Sequence, residues 1–154
     1  MAQLQPRPQL FSGDTDVVDT EARHALGTVG FDKDGNAYTY LKGVVSTVAG
    51  SVVSFDEAGA TLLLAANAVG RVAVAMAAIV ANSYGWYQIS GKNTITASDG
   101  VAADLPCFID GTPGRIDDAV VTGDLVVGKF TRSADTANVC TTELNYPCVT
   151  NVLG

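Results

Sequence analysis

A single histidine, His24, serves the whole chain, and it sits beside Arg23 in a polar lead-in. Nucleophilic machinery of the Ser/His/Asp or Cys/His kind needs a base poised near neutral pH and a group to orient it. His24 has neither nucleophile nor orienting partner near it in sequence, so it reads as an exposed or capping histidine. Cysteine is scarce as well. Cys107, Cys140 and Cys148 form an odd set without a CxxC or metal-ligand spacing. Buried free thiols in a reducing compartment are the expectation, with a Cys140–Cys148 link as the alternative. Cations are few: nine Lys plus Arg stand against sixteen Asp plus Glu, for a net charge of −7. They are scattered, whereas phosphate binding draws on basic patches, so nucleic acid is not an expected partner.

Charged residues of both signs make up only 16% of the chain, below the ~25% usual for soluble domains. Such a surface suggests contacts with neighbours. No Walker loop, dinucleotide fingerprint or zinc motif occurs, and no cofactor is expected. Carboxylate-only catalysis survives on the supply of acids, yet glycosidase-type sites also want several aromatics for sugar stacking. Here there are one Trp and five Tyr, with Tyr84, Trp86 and Tyr87 clustered. A packed turn between strands is the plainer reading of them, and a surface aromatic cluster that stacks on glycans is the functional one. The overall expectation is a protein that is not an enzyme.

What the chain does have is strand text. In Gly70 to Gly91, GRVAVAMAAIVANSYGWYQISG, the residues Val72, Val74 and Met76 alternate with Ala73, Ala75 and Ala77. That period of two predicts a strand packed on both faces. Asn82, Ser83 and Gly85 supply turn chemistry, and a second strand is expected from Trp86 to Ile89, stopping at Gly91. The rival for Leu62 to Ala81 is a membrane helix, since a bilayer needs about 20 apolar residues. Asn67, Gly70 and Arg71 fall inside it, and the Val-Ala alternation has the wrong period for a helix. No membrane partner is expected.

Elsewhere, Asp34-Gly35 lies between Val29–Phe31 and Ala37–Leu41 as a β-hairpin turn would. An EF-hand loop sets its glycine at position six and an acid at position twelve; counted from Asp32, glycine falls at four and position twelve is Gly43. Gly50 and Gly59 break the stretch from Gly43 to Leu64 into short strands. In that stretch Val52, Ser54 and Asp56 alternate with Val53, Phe55 and Glu57, which predicts one polar face. Further strands are expected at Pro106–Ile109, Leu125–Phe130, Ala137–Leu144 and Tyr146–Val149. A type II turn is expected at Pro113-Gly114. Turn clusters every ten or so residues predict an all-β fold, a small β-barrel or β-sandwich with little helix, over residues 21–154.

Residues 1–20 lack sustained periodicity. Pro6 and Pro8 flank Arg7 and favour an extended run, so this stretch reads either as a disordered terminus or as an extended N-terminal arm, with Leu4, Leu10 and Phe11 as the groups an arm would insert into a neighbour. No apolar core follows a basic region there, which predicts no signal peptide and synthesis in a cytoplasm.

Three stretches together, LGTVGFDKDGNAYTYLKGV, AVAMAAIVANSYGWYQISG and GRIDDAVVTGDLVVG, resemble the small head decoration, or cement, proteins of tailed bacteriophages. The similarity runs from about Ala25 to Val149 as a pattern of glycines and strand text, without a catalytic signature. It implies a β-rich protomer, a homotrimer or other cyclic homo-oligomer, that sits on the outer capsid face of the virion and binds the major capsid protein. Assembly would take place in the host bacterial cytoplasm. In that family an N-terminal arm often reaches neighbours, so the resemblance implies that Leu4, Pro6, Pro8, Leu10 and Phe11 dock. The alternatives are a tail or baseplate component, or a glycan-binding module displayed on the capsid.

Overall fold

A computed structural model describes residues 13–151, and the segment holding Leu4, Pro6, Pro8, Leu10 and Phe11 lies outside them. Among the described residues there is no helix, and so none long and apolar enough to cross a membrane. The chain is all-β. Its strands are β1 (Val18–Asp19), β2 (Val29–Phe31), β3 (Ala37–Lys42), β4 (Val52–Phe55), β5 (Thr61–Leu63), β6 (Gly70–Ala75), β7 (Tyr84–Thr96), β8 (Pro106–Ile109), β9 (Ile116–Asp117), β10 (Leu125–Thr131) and β11 (Val139–Val149). All strand pairs are antiparallel and belong to one sheet, which is not closed into a barrel; of the two expected architectures the fold is the sandwich-like one.

The sheet forks. Strands β7 and β11 run side by side from Thr96↔Val139 to Ser90↔Asn145 and then part. Strand β6 fills the gap, pairing Val74 and Ala75 with Gln88 and Tyr87 on one side of the fork, and Gly70 and Arg71 with Val149 and Cys148 on the other. Its opposite edge is taken by β4 through Val52↔Val74 to Phe55↔Arg71. The β4–β6 pair is therefore a wall with a core on each side, and the Val-Ala alternation supplies both surfaces. Val72 and Val74 join Val52, Ile95, Cys107, Ile116, Cys140 and Leu144 in the first core. Ala73, Ala75 and Ala77 join Val53, Leu41, Ile79, Tyr87 and Ile89 in the second. The expected polar face of β4 is not found at its start, because Val52 and Val53 are both fully buried, one in each core.

Gly91 does not end a strand. β7 continues through it at φ +102°, a backbone state that only glycine adopts easily, and a Cβ there would collide with the Asn36 side chain. The strand can thus serve both cores, with Tyr87 and Ile89 in the second and Ile95 in the first. The hairpin between β2 and β3 forms as expected, with Gly35 at φ +83°. Asp32 stabilises it: one carboxylate oxygen accepts the backbone N–H groups of Asp34 and Asn36, and the other accepts the Asn36 amide and the Tyr38 hydroxyl. Partial desolvation works to raise the Asp32 pKa, but these donors outweigh it and hold the carboxyl below its ordinary range.

Ala73 is fully buried directly opposite Val53 and Ala75 lies opposite Tyr87, so the second core has room for a methyl on this side of β6 and little more. Ala73→Leu should therefore destabilise the protein by about 1–3 kcal/mol through overpacking. A urea titration that shows an unchanged midpoint would contradict the two-core wall.

Candidate functional site

Alternation along β7 decides the fate of the expected aromatic cluster. Trp86 points to one face of the sheet and Tyr87 to the other, as successive residues of a strand must. Trp86 is 5% exposed, packed with Tyr38, Tyr40 and the half-buried Tyr84, while Tyr87 is wholly buried in the second core. His24 covers the first group, its ring 5.0 Å from Tyr40 and 5.2 Å from Trp86. The Tyr40 hydroxyl donates to Asp19 at 2.7 Å, and Arg23 Nε lies 2.8 Å from the other oxygen of that carboxylate. Burial, then the bond to Asp19, pushes the Tyr40 pKa up to about 12. Tyr84, Trp86 and Tyr87 thus form no surface platform on which a sugar ring could stack; they are packing, and the lead-in strand β1 pairs with Tyr84 and Gly85 beside them.

A different face presents apolar groups. Along β10 the residues Leu125, Val127 and Phe130 point outward, and Phe130 keeps 44% of its surface exposed. Leu125 faces Phe108 of β8, Val127 faces Cys148 of β11, and Phe130 lies between Pro106 and Glu143. In the turn before the strand, Val120 is 82% exposed. At the far end Arg132 binds Glu143 at 2.8 Å and Asp104 at 3.1 Å, giving the apolar row a charged border.

The inward row of the same strand is the reverse. Val126, Lys129 and Thr131 face the first core, and Lys129 is 1% exposed. An uninterrupted strand would put Val127 and Lys129 on one face. The parity breaks at Gly128, and the pairing shifts across it: Val127 is opposite Cys148, yet Lys129 is opposite Leu144, so β11 carries two extra residues there. Gly128 at φ +78° and Tyr146 at φ +45° absorb the change. A Cβ at Gly128 would stand 2.6 Å from the carbonyl oxygen of Asn145. The irregularity sits at the fork, where β11 leaves β7 for β6.

Among the described residues Lys129 Nζ has no hydrogen-bond partner, and neither has the buried Thr142 Oγ1 on the neighbouring strand. Burial drives the Lys129 pKa down to about 8, against a smaller opposing pull from the thiols of Cys107 and Cys140. Burial likewise raises Cys107, to about 11, and Cys140. All three cysteines are free thiols, so the Cys140–Cys148 alternative does not occur. Lys129 was not among the residues singled out from sequence. The one local signal was the glycine inside LVVGKF, since an isolated glycine in strand text marks a bulge and a bulge inverts the side chains beyond it.

Among the described residues no group of three or more His, Cys, Asp or Glu is gathered as a metal centre would require. Set against known protein families, curated proteins and solved structures, the chain matches none.

Gly128→Ala forces a β-carbon into a left-handed backbone and against Asn145, and should destabilise by about 1–3 kcal/mol or more. Lys129 makes a second prediction. Its folded pKa of about 8 lies below the unfolded value of 10.5, so between those values the unfolded chain holds a proton that the folded chain has shed. Stability attributable to this residue therefore rises with pH across that window, and below it the full penalty of about 3 kcal/mol applies. Cys107 and the buried tyrosines act in the opposite sense at high pH, so the effect is read as a difference. Lys129→Met should be more stable than the parent at pH 7, and the gap should close towards pH 10.5. A gap that does not change with pH would mean that the amine carries no buried charge.

Proposed function

We propose that this protein is a structural component of a virion, a head decoration protein that binds the outer face of a tailed-phage capsid and stabilises contacts between capsomers of the major capsid protein. The observation that carries the reading is the outward row Leu125, Val127 and Phe130 on a strand whose inward row holds Lys129 and Thr131. Contiguous exposed apolar surface marks an interaction site. Each such side chain, once covered, contributes roughly 1.5–3 kcal/mol. The resemblance of the sequence to cement proteins supplies the class of partner, and net acidity suits the side of a shell turned away from packaged DNA.

In this role the protein acts mechanically and transforms no molecule. It works as a homo-oligomer, a trimer by the same resemblance, and multiple attachment points let weak individual contacts suffice, because each contact after the first is effectively intramolecular. The segment before Gly13, with Leu4, Pro6, Pro8, Leu10 and Phe11, is proposed as a second point of attachment to capsid or to a sister subunit. The proteins assemble on heads in the bacterial cytoplasm and remain on the virion surface.

The test is reconstitution on undecorated heads assembled from a tailed-phage major capsid protein. Val127→Asp with Phe130→Asp should lower occupancy at least tenfold while circular dichroism of the free protein is unchanged; full occupancy by the double variant would sink the proposed face. A chain starting at Gly13 should bind more weakly, and equal binding would remove the N-terminal segment from the mechanism. Particle imaging that finds the protein on a tail or baseplate would overturn the assignment to the head.

A further inference from the structure

The lysine inside the first core is placed there by construction. Three strands lie side by side in the order β8, β10, β11, and the inward positions near Lys129 carry Cys107 on β8 and Cys140, Thr142 and Leu144 on β11. Leu144 is the direct cross-strand neighbour of Lys129. On the other edge, Val126 pairs with Cys107 and Phe130 with the adjacent Pro106, so β10 carries three extra residues, Val127 to Lys129, against one step of β8. The excess holds Lys129 alongside Cys107. The amine lies within electrostatic reach of both thiols, Cys107 the stronger of the two, and each thiol feels the amine in return.

These groups do not form an ion pair. Burial keeps the Cys107 thiol protonated, with a pKa of about 11, so no thiolate is present to balance an ammonium at neutral pH. Among the described residues no carboxylate acts on Lys129, and Nζ has no hydrogen-bond partner. A buried charge left in that state is costly, and the amine sheds its proton far more readily than a lysine in water. The fraction of Lys129 that has shed its proton stands beside a buried thiol, and the two together can give up electrons to an oxidant.

We propose that Lys129 and Cys107 are a cross-linking pair, joined through one oxygen atom as an N–O–S bridge that ties β10 to β8. The oxidant is dioxygen. Sulfur gives up two electrons in passing from thiol to the sulfenyl level, and nitrogen gives up two in passing from amine to the hydroxylamine level. The four electrons reduce one O2: one oxygen atom becomes the bridge, and the other leaves as water with one proton from the amine and one from the thiol. The N–H and S–H bonds break, and N–O and O–S bonds form. Two equivalents of a dithiol reductant, each closing to its disulfide, supply the four electrons and four protons that restore amine, thiol and a second water. The product is neutral, so it removes the buried charge that the unmodified pair must carry. Cys140 is the less suited partner, since it pairs across from Ile95 of β7 and lies beyond the last β10–β11 pair, Thr131↔Thr142.

Intact-mass measurement of the full chain, purified under argon and then held in air, tests this. One added oxygen and two lost hydrogens raise the mass by about 14 Da, and dithiothreitol reverses the shift. Tryptic mapping should then find no cleavage after Lys129 and a peptide pair joining it to Cys107. The shift should vanish in Lys129→Arg and in Cys107→Ser and persist in Cys140→Ser. An unchanged mass after exposure to air overturns the proposal, as does thiol oxidation alone, which adds whole oxygen atoms and survives in Lys129→Arg. A bridge mapped to Cys140 overturns the choice of partner. Should a variant fail to fold, the map of the unmodified sequence decides by itself.

Discussion

The fold depends on one constraint: β6 must be buried on both faces while it sits in the fork between β7 and β11. A strand buried on one face can be polar on the other and tolerates a range of neighbours. A strand that divides two cores must match a partner surface on each side, and the alternation of valine with alanine meets that demand by giving bulk to one core and close approach to the other. Val74 and Ala75 then set the register of β7 through Gln88 and Tyr87, and Gly70 and Arg71 set that of β11 through Val149 and Cys148. A one-residue slip of β6 would exchange its valines and alanines between the cores and upset both at once.

Forking has a cost in regularity, and the irregular positions follow from it. Where β7 passes from one core to the other, Gly91 takes a left-handed backbone; where β11 turns from β7 to β6, Tyr146 does so, and Gly128 follows on the next strand. The inversion of β10 is thus the outward echo of a wedge two strands away.

Much of this was legible in sequence because it is written in a period of two with glycine punctuation. The Val72–Ala75 alternation, the Asp34-Gly35 hairpin, Pro106–Ile109 and the strand at Leu125 all came out where local pattern put them, whereas Met76 lies past the end of β6 and packs with Trp86. Failures occurred where a residue's local meaning depends on a distant strand. Gly91 reads as a terminator and is a bend, because continuation is decided by β11, some fifty residues further on. Trp86 and Tyr87 read as neighbours on one surface, although strand geometry alone separates them by a face, and His24 then covers one of them. Lys129 was not singled out, since nothing local says that the Asn145–Pro147 stretch of another strand adds two residues opposite it. The candidate face was missed for the same reason, as the parity of Phe130 is set by that same pairing.

Inner and outer rows of β10 are one fact seen from two sides. Relieving the bulge would bring Phe130 inside and send Lys129 to water, and an isolated protomer would gain on both counts: roughly 1.5–3 kcal/mol for the phenyl ring and a few kcal/mol for the ammonium. The observed register forgoes both gains, and natural chains keep such local conflicts chiefly where function requires them. In the proposed assembly the first loss is made good when a neighbour covers Leu125, Val127 and Phe130, and the second when Lys129 becomes a neutral bridge to Cys107. Either event stabilises the same register, so covering the outer face and tying the inner one favour each other without any contact between them. In the proposed role, holding a shell together after leaving the cell, the protein would gain from that coupling, because attachment selects the register and the cross-link retains it.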